Sequence, residues 1–520
     1  MLIEALSLLN TAGLAVGHLD ESLDQANRTA AEVTTRVAAA GADDISVSVA
    51  ATFAGYARSF QDTAARAAAT GASFSRSLTA AAEAYAAAES ANAANLIDGM
   101  MVLPLRVINA PFDVLTGRPL IGNGANGTTT ATGLGTAGGP GGWLFGNGGT
   151  GGVSTAYGMI GGPGGRSGLI GNGGTGGAST YGGGAGGTGG SAVLFGNGGT
   201  GGASGPGGIG GTGGAAGVLA GVTGAQGANT ALPWNAVVLT PNRWGTPMVG
   251  ISVGGGMTVP AIVDTGSTGL LISKAFVNTS GMGNPISTGY VEYGDSLNLT
   301  KVDYSVFNTT INFGNGIVTA QTHVQIATSA TQTITTGSAI LTQNIPLNQI
   351  PTILGIGPKD GFPTTISPTT ALPGTLNQGQ LINLPHGLLQ FGPNSLPAVT
   401  TIPGSPIVDL RIQIDGGALT NVTGAFIDSG GLTGTIPANL IPWATVGQTV
   451  PVGTTITVYS SANQYLYTQV VTAANAPRII PASSGLAYSS VYNTGNYPFS
   501  LGPIYISNSP AGQGSTVFTF

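Results

Sequence analysis

Apolar residues fall in three unlike patterns along this chain, and each predicts a different kind of element. Near the N-terminus they recur every three or four positions: Leu9, Ala12, Val16, Leu19 and Leu23, then Val49, Phe53, Tyr56 and Phe60, then Phe74, Leu78, Ala81 and Tyr85. That period belongs to amphipathic helices. Gly41-Ala42-Asp43-Asp44 interrupts it, and Asp43 or Asp44 suits the N-cap of a second helix. Residues 1–97 thus read as an Ala-rich helical hairpin. A hairpin this thin has little core, so its stripe either covers a partner protein or self-associates. From about Pro233 the period drops to two, as in Met248-Val249-Gly250-Ile251-Ser252-Val253, Tyr304-Ser305-Val306-Phe307 and Thr455-Ile456-Thr457-Val458-Tyr459. Short alternating runs rich in Val, Ile, Thr and Tyr, separated by Gly, Asn and Pro, predict an all-β domain over residues 233–520.

Between these lie a connector, 98–130, and a glycine-rich region, 131–232. Trp143-Leu144-Phe145, Gly168-Leu169-Ile170 and Val193-Leu194-Phe195 are each followed by Gly-Asn-Gly-Gly-Thr-Gly-Gly. The glycine after the apolar residues falls at 146, 171 and 196, a period of 25. Glycine loses the most backbone entropy on ordering, so helices and ordinary strands are disfavoured. Two alternatives remain: a disordered linker, or a stalk of packed polyproline-II-like runs anchored by Leu and Phe. G-x-G-x-x-G matches here follow from composition alone.

Composition narrows the chemistry. The 520 residues suffice for about three domains of roughly 150 residues. Only 7% are charged and the net charge is −6, which leaves no electrostatic footprint for nucleic acid or a polybasic membrane patch. Without cysteine there are no disulfides, thiolate nucleophiles or zinc–thiolate sites. Three histidines, His18, His323 and His386, argue against a His-rich metal centre, and no metal or other cofactor is expected. The N-terminus lacks a basic region ahead of an apolar core, so a Sec-type signal peptide is not expected. No run of 18 apolar residues predicts a membrane-spanning helix.

Acidic residues are scarce in the β domain, with eight from Arg243 onward. Two of these end apolar runs: Ile262-Val263-Asp264-Thr265-Gly266-Ser267 and Phe426-Ile427-Asp428-Ser429-Gly430-Gly431. Upstream of each stands an alternating strand and a Gly-rich turn: Val249, Ile251 and Val253 in one half, Leu410, Ile412 and Ile414 in the other. Two copies of one strand–turn–strand unit imply a pseudo-twofold pair of lobes with both carboxyls at the axis. Close carboxyls cannot both ionise cheaply, so they share a proton and are suited to activating a water. Taken singly, each aspartate would only initiate an Asx-type turn at a strand end. A rival nucleophile motif, Gly250-Ile251-Ser252-Val253-Gly254, lies inside an alternating strand with no following helix, so the required elbow is absent.

With these residues in place, the β domain resembles a pepsin-type aspartic protease. Asp264-Thr265-Gly266-Ser267 resembles the catalytic motif of the first lobe and Asp428-Ser429-Gly430 that of the second. Val291-Glu292-Tyr293-Gly294 resembles the flap hairpin, with Tyr293 as its tyrosine. Ile353-Leu354-Gly355-Ile356-Gly357 resembles the apolar loop that braces the first catalytic loop, and Phe499-Ser500-Leu501-Gly502-Pro503-Ile504 its second-lobe counterpart. The resemblance implies a bilobal all-β fold, an Asp264/Asp428 dyad, and support from Thr265, Gly266, Ser267, Ser429 and Gly430. Thr265 and Ser429 are expected to brace the two loops across the axis. Departures are Gly431 where the family carries Ser or Thr, Ser500 in place of an apolar residue, and a short interval from Asp264 to Tyr293.

The N-terminal half resembles a mycobacterial PE-PGRS protein. This rests on residues 45–97, Gly117-Arg118-Pro119-Leu120-Ile121 and the Gly-Asn-Gly-Gly-Thr-Gly-Gly repeats. The likeness implies type VII secretion, a secretion chaperone, a PPE-type helical partner, and a secreted or cell-surface location in the outer envelope. Tyr85-Ala86-Ala87-Ala88-Glu89 matches the family's Tyr-x-x-x-Asp/Glu export signal. The Pro-Glu pair that names the family is missing near Met1, so the chain is expected to start inside the usual first helix. The combined expectation is a surface aspartic endopeptidase acting on co-exported proteins or itself. The alternative is a protease-like surface protein used for binding.

Overall fold

The structure, a computed structural model, describes residues 105–520 except 296–297, 337–338, 359–365, 483–490 and 512, together with part of the positions between 12 and 77. The chain divides into two units, Met1–Pro111 and Phe112–Phe520. In the first, the described positions from 12 to 34 and from 44 to 77 are helical, and the described positions between 35 and 41 are not. Asp44 is already helical, and Asp43 lies outside the described residues. Of the predicted stripe, Leu19, Leu23, Val49, Phe53, Tyr56, Phe60 and Phe74 are exposed and Val16 is half-buried. Among the described residues no helix is long and apolar enough to cross a membrane.

The second unit begins with the glycine-rich region, which is an ordered stack of coils. Parallel bridges run from Ile121 to Phe145, Ile170, Phe195 and Ala220, one residue per coil. The coils therefore start at Ile121, inside the segment read from sequence as a connector. Each apolar turn passes a hydrogen bond to the next, as from Gly146 N–H to Ile170 O at 3.0 Å and Gly171 N–H to Phe195 O at 2.9 Å. An asparagine ladder repeats the step: the Asn172 and Asn197 N–H groups donate to the side-chain oxygens of Asn147 and Asn172 at 2.7 and 2.8 Å. Within the 146–152 run, alternate N–H groups donate to two different neighbours, to Asn172 and Thr175 on one side and Gly139 and Thr136 on the other. Backbones this close exclude side chains: a Cβ on Gly174 would lie 1.9 Å from Gly149 O. These polyproline-II-like runs hydrogen-bond to neighbouring coils rather than within themselves, so the region is an ordered stack and the linker alternative does not hold.

The β domain follows directly. Val249, Ile251 and Val253 point inward from strand Pro247–Val253, which pairs antiparallel with Val259–Asp264. Ser252 sits in this strand with no helix after it, so the G-x-S-x-G rival has no elbow. The fully buried strand Thr352–Ile356 inserts between Val259–Asp264, to which it is parallel, and Thr268–Ser273, to which it is antiparallel. In the second half, Leu410 and Ile412 point into the core from Ile407–Ile414, which pairs antiparallel with Thr420–Phe426. The lobes are tied by a shared sheet in which Thr400–Pro403, Ser515–Phe518, Ile504–Ser507, Gly379–Asn383, Leu388–Phe391 and Ala236–Pro241 lie side by side in that order. One large apolar cluster runs through both halves, from Leu239 and Val263 to Ile427, Ile479 and Phe499.

Candidate active site

Asp264 ends the strand Val259–Asp264, and Asp428 stands just beyond Thr420–Phe426. The apolar residues before them bury each strand end, so each polar loop emerges against its counterpart from the other lobe. The two loops lock together through four hydrogen bonds. Thr265 Oγ1 donates to Ile427 O at 2.7 Å and accepts the Ser429 N–H at 2.9 Å. Ser429 Oγ donates to Val263 O at 2.6 Å and accepts the Thr265 N–H at 3.0 Å. Thr265 and Ser429 thus make the cross-brace expected of them, and both are wholly buried.

The brace presses each motif glycine against the opposite carboxyl. A Cβ on Gly266 would lie 2.6 Å from Asp428 Oδ1, and one on Gly430 2.4 Å from Asp264 Oδ1. Both aspartates are 8% exposed, and each carboxyl lies against the motif glycine of the other lobe. Burial first, and then the charge of Asp428, push the Asp264 carboxyl well above the usual carboxylate range. Ser267 and the Gly266 N–H oppose that shift by donating to Asp264 Oδ2 at 2.5 Å and Oδ1 at 2.7 Å. Two carboxyls this close repel when both are charged, which favours a proton on Asp264. Among the described residues no cluster of three potential metal-binding side chains occurs.

The first apolar brace lies where the sequence placed it. Gly355 pairs with Asp264 on one side and Gly269 on the other, and Gly357 N–H donates to Ser267 O at 2.9 Å. The second does not. Residues 499–504 belong to the helix Tyr497–Leu501 and the start of strand Ile504–Ser507, not to the catalytic loop. The counterpart is Val491-Tyr492-Asn493-Thr494-Gly495: Asn493 bridges Phe426 in parallel and Thr435 antiparallel, and Thr494 Oγ1 accepts the Asp428 N–H at 3.1 Å. An apolar-apolar-glycine search passes over this segment because its bracing residues are polar.

Asn493 is also the site residue that the sequence did not reveal. Its Nδ2 donates to Asp428 Oδ2 at 2.6 Å. The Gly430 and Gly431 N–H groups donate to Asp428 Oδ1 at 2.9 and 3.0 Å. The one signal was indirect: Gly431 lacks a hydroxyl, so the donor had to come from elsewhere. Tyr293 and Gly294 lie on strand Ser287–Asp295, opposite Thr300 and Leu299 of the hairpin partner. Tyr293 packs against a second apolar cluster that includes Leu271, Val302 and Ile353. Tyr85 and Glu89 lie outside the described residues.

Three family models match successive parts of the chain. Residues 235–516 match the family described as the PE-PGRS C-terminal aspartyl peptidase-like domain, residues 3–92 the PE family and residues 121–182 the PGRS repeats. PE cleavage protein A of Mycobacterium tuberculosis (strain ATCC 25618 / H37Rv) is 44% identical, over 98% of this chain and 98% of its own. PE cleavage protein A of Mycobacterium marinum (strain ATCC BAA-535 / M) is 39% identical, over 100% and 99%. Among solved structures, the aspartic proteinase from Irpex lacteus aligns with 55% of this chain and 96% of its own, at 14% identity and a TM-score of 0.38. With a PE segment, glycine-rich coils and a paired-aspartate β domain in one polypeptide, the chain belongs to the PE-PGRS family, among the members that end in an aspartyl peptidase-like domain.

Proposed function

We propose that the protein is an aspartic endopeptidase. The observation that carries this reading is the approach of Asp264 and Asp428 across the lobe axis, each carboxyl against the other loop's glycine and both loops locked by Thr265 and Ser429. The ionised member of the pair takes a proton from a bound water, which attacks the peptide carbonyl, while the protonated member donates to the developing oxyanion. No covalent enzyme intermediate forms. Tyr293 and Gly294 serve as the flap over the substrate.

Substrates are extended segments of co-exported surface proteins, including this chain's own N-terminal region. The name of the relatives, PE cleavage protein A, supports PE segments as the substrate class. In this reading the N-terminal hairpin directs export through Tyr85 and Glu89, lays its exposed stripe on a PPE-type helical partner, and delivers the enzyme to the cell surface. Holding enzyme and substrate on one surface raises their effective concentration.

The test is cleavage of an unfolded protein by the intact chain between acidic and neutral pH, with and without a statine-type inhibitor. Asp264→Asn and Asp428→Asn should each lower the rate by at least about 10³-fold, near the upper range for loss of a general acid or base. In the producing cell, both variants should abolish release of N-terminal fragments. A wild-type chain that cleaves nothing, or no faster than both variants, would overturn this reading and leave a protease-like surface protein used for binding.

A further inference from the structure

We propose that Asn493 is the positioning residue of the second catalytic carboxyl, its side-chain amide replacing the motif hydroxyl that Gly431 omits. The proposal rests on the endopeptidase reading and adds to it the origin of the missing donor.

The two halves of the site are matched in function but not in chemistry. In the first, one carboxyl oxygen is held by a backbone N–H, from Gly266, and the other by a side chain, Ser267. In the second, Gly430 and Gly431 hold Oδ1 of Asp428, and Oδ2 is left to the Asn493 amide. The donor thus arrives from 65 residues downstream. The orientation of that amide is fixed by its other end, because Asn493 Oδ1 accepts the Gly495 N–H at 2.8 Å. The backbone is fixed as well: Asn493 and Thr435 exchange both hydrogen bonds, at 2.9 and 3.0 Å. Room for only one donor exists. A Cβ on Gly431 would lie 2.9 Å from Asp428 Oδ2, 3.1 Å from Asn493 Oδ1 and 3.2 Å from Gly495 Cα, so a side chain there needs the Asn493 amide gone and a shift of a few tenths of an ångström in the 495 backbone. A hydroxyl at position 431 and an amide at 493 are therefore alternatives for one space.

The exchange has a chemical consequence. A hydroxyl donates or accepts, whereas an amide NH₂ only donates. Asn493 therefore holds Asp428 Oδ2 as an acceptor at all times, while Ser267 can follow either protonation state of Asp264. The titratable group facing Asp428 is Asp264; the Gly430 and Gly431 N–H groups, the Thr494 hydroxyl and the Asn493 amide around it carry no net charge.

The experiment compares wild type with Asn493→Ala, Asn493→Asp and the double variant Asn493→Ala/Gly431→Ser, all as the intact chain. Cleavage of an unfolded protein gives kcat, KM and the pH profile, and thermal melting sets the folded fraction. Asn493→Ala should lower kcat roughly 10- to 100-fold at little change in KM, the worth of a hydrogen bond to a charged group. It should also move the pH profile. The double variant should recover most of the loss. Asn493→Asp, which keeps the Gly495 contact but brings a third carboxyl, should be active only toward acid pH. A wild-type kcat and pH profile in Asn493→Ala, or a double variant no better than the single, would overturn the proposal. Carboxyl ¹³C titration of the dyad reads the same contact without cleavage, and an unchanged titration in Asn493→Ala would also overturn it. Failure of the endopeptidase reading looks different: wild type, Asp264→Asn and Asp428→Asn would cleave alike or not at all, whatever the titration shows.

Discussion

At the scale of single residues, the site concentrates cost as well as chemistry. Asp264 is buried beside another carboxyl, and its pKa is raised above its unfolded value. The folded state therefore keeps a proton that the unfolded state releases above about pH 4. Stability contributed by this group is present below that pH and is lost as pH rises toward the raised folded value. Asp264→Asn removes that loss, so its melting temperature should gain on wild type progressively from pH 4 to 7 in parallel scans. The cross-brace acts in the opposite sense. Thr265→Val would strip the partners from Ile427 O and the Ser429 N–H, both buried, and should destabilise by roughly 2–4 kcal/mol in denaturant titration. Both aspartates, Thr265 and Ser429 were legible in the sequence because each motif is contiguous and follows an apolar run. Asn493 was not, because a contact between positions 428 and 493 leaves no local pattern.

At the scale of elements, the two braces divide in the same way. Ile353-Leu354-Gly355-Ile356-Gly357 announces itself through burial: its strand is buried on every residue, so every side chain is apolar or small. Gly355 is required by closeness, since a Cβ there would meet Gly269 O at 2.7 Å and Ser267 Oγ at 2.8 Å. Gly355→Ala should cost roughly 1–3 kcal/mol as an overpacked site. It should also slow cleavage by displacing Ser267 from Asp264, which kcat measured at a pH where the variant is fully folded will separate from unfolding. Around Asn493, side chains bond to the loop instead of packing, so the pattern used to find the first brace had nothing to detect. The alternating strands were legible because one face of each meets the core. Which strands join the shared sheet was not, since pairing between Ala236–Pro241 and Leu388–Phe391 depends on segments far apart in the chain.

At the scale of the molecule, the coil stack is seated on the β domain through one aromatic residue. Tyr181 is 3% exposed, its hydroxyl donates to Leu239 O at 3.2 Å, and Gly182 N–H donates to His386 O at 2.8 Å. Gly387, at φ +67°, lies under the ring, and a Cβ there would sit 2.3 Å from it. Gly387→Ala is strained twice, by its backbone and by the ring. It should loosen the seat and expose the 230–236 join to limited proteolysis, while Tyr181→Ala should do so without straining the β domain. The 25-residue period was legible, whereas the seat was not, because Tyr181 falls where the repeat lapses. The stack also constrains how such a chain can change in length. Asn147, Asn172 and Asn197 form one rail only while successive turns stay in phase. Loss of a single codon in one turn would set bulkier residues where neighbouring backbones leave no room. Lineages should therefore gain or shed this region in whole turns, and any partial indels should gather at its outward corners.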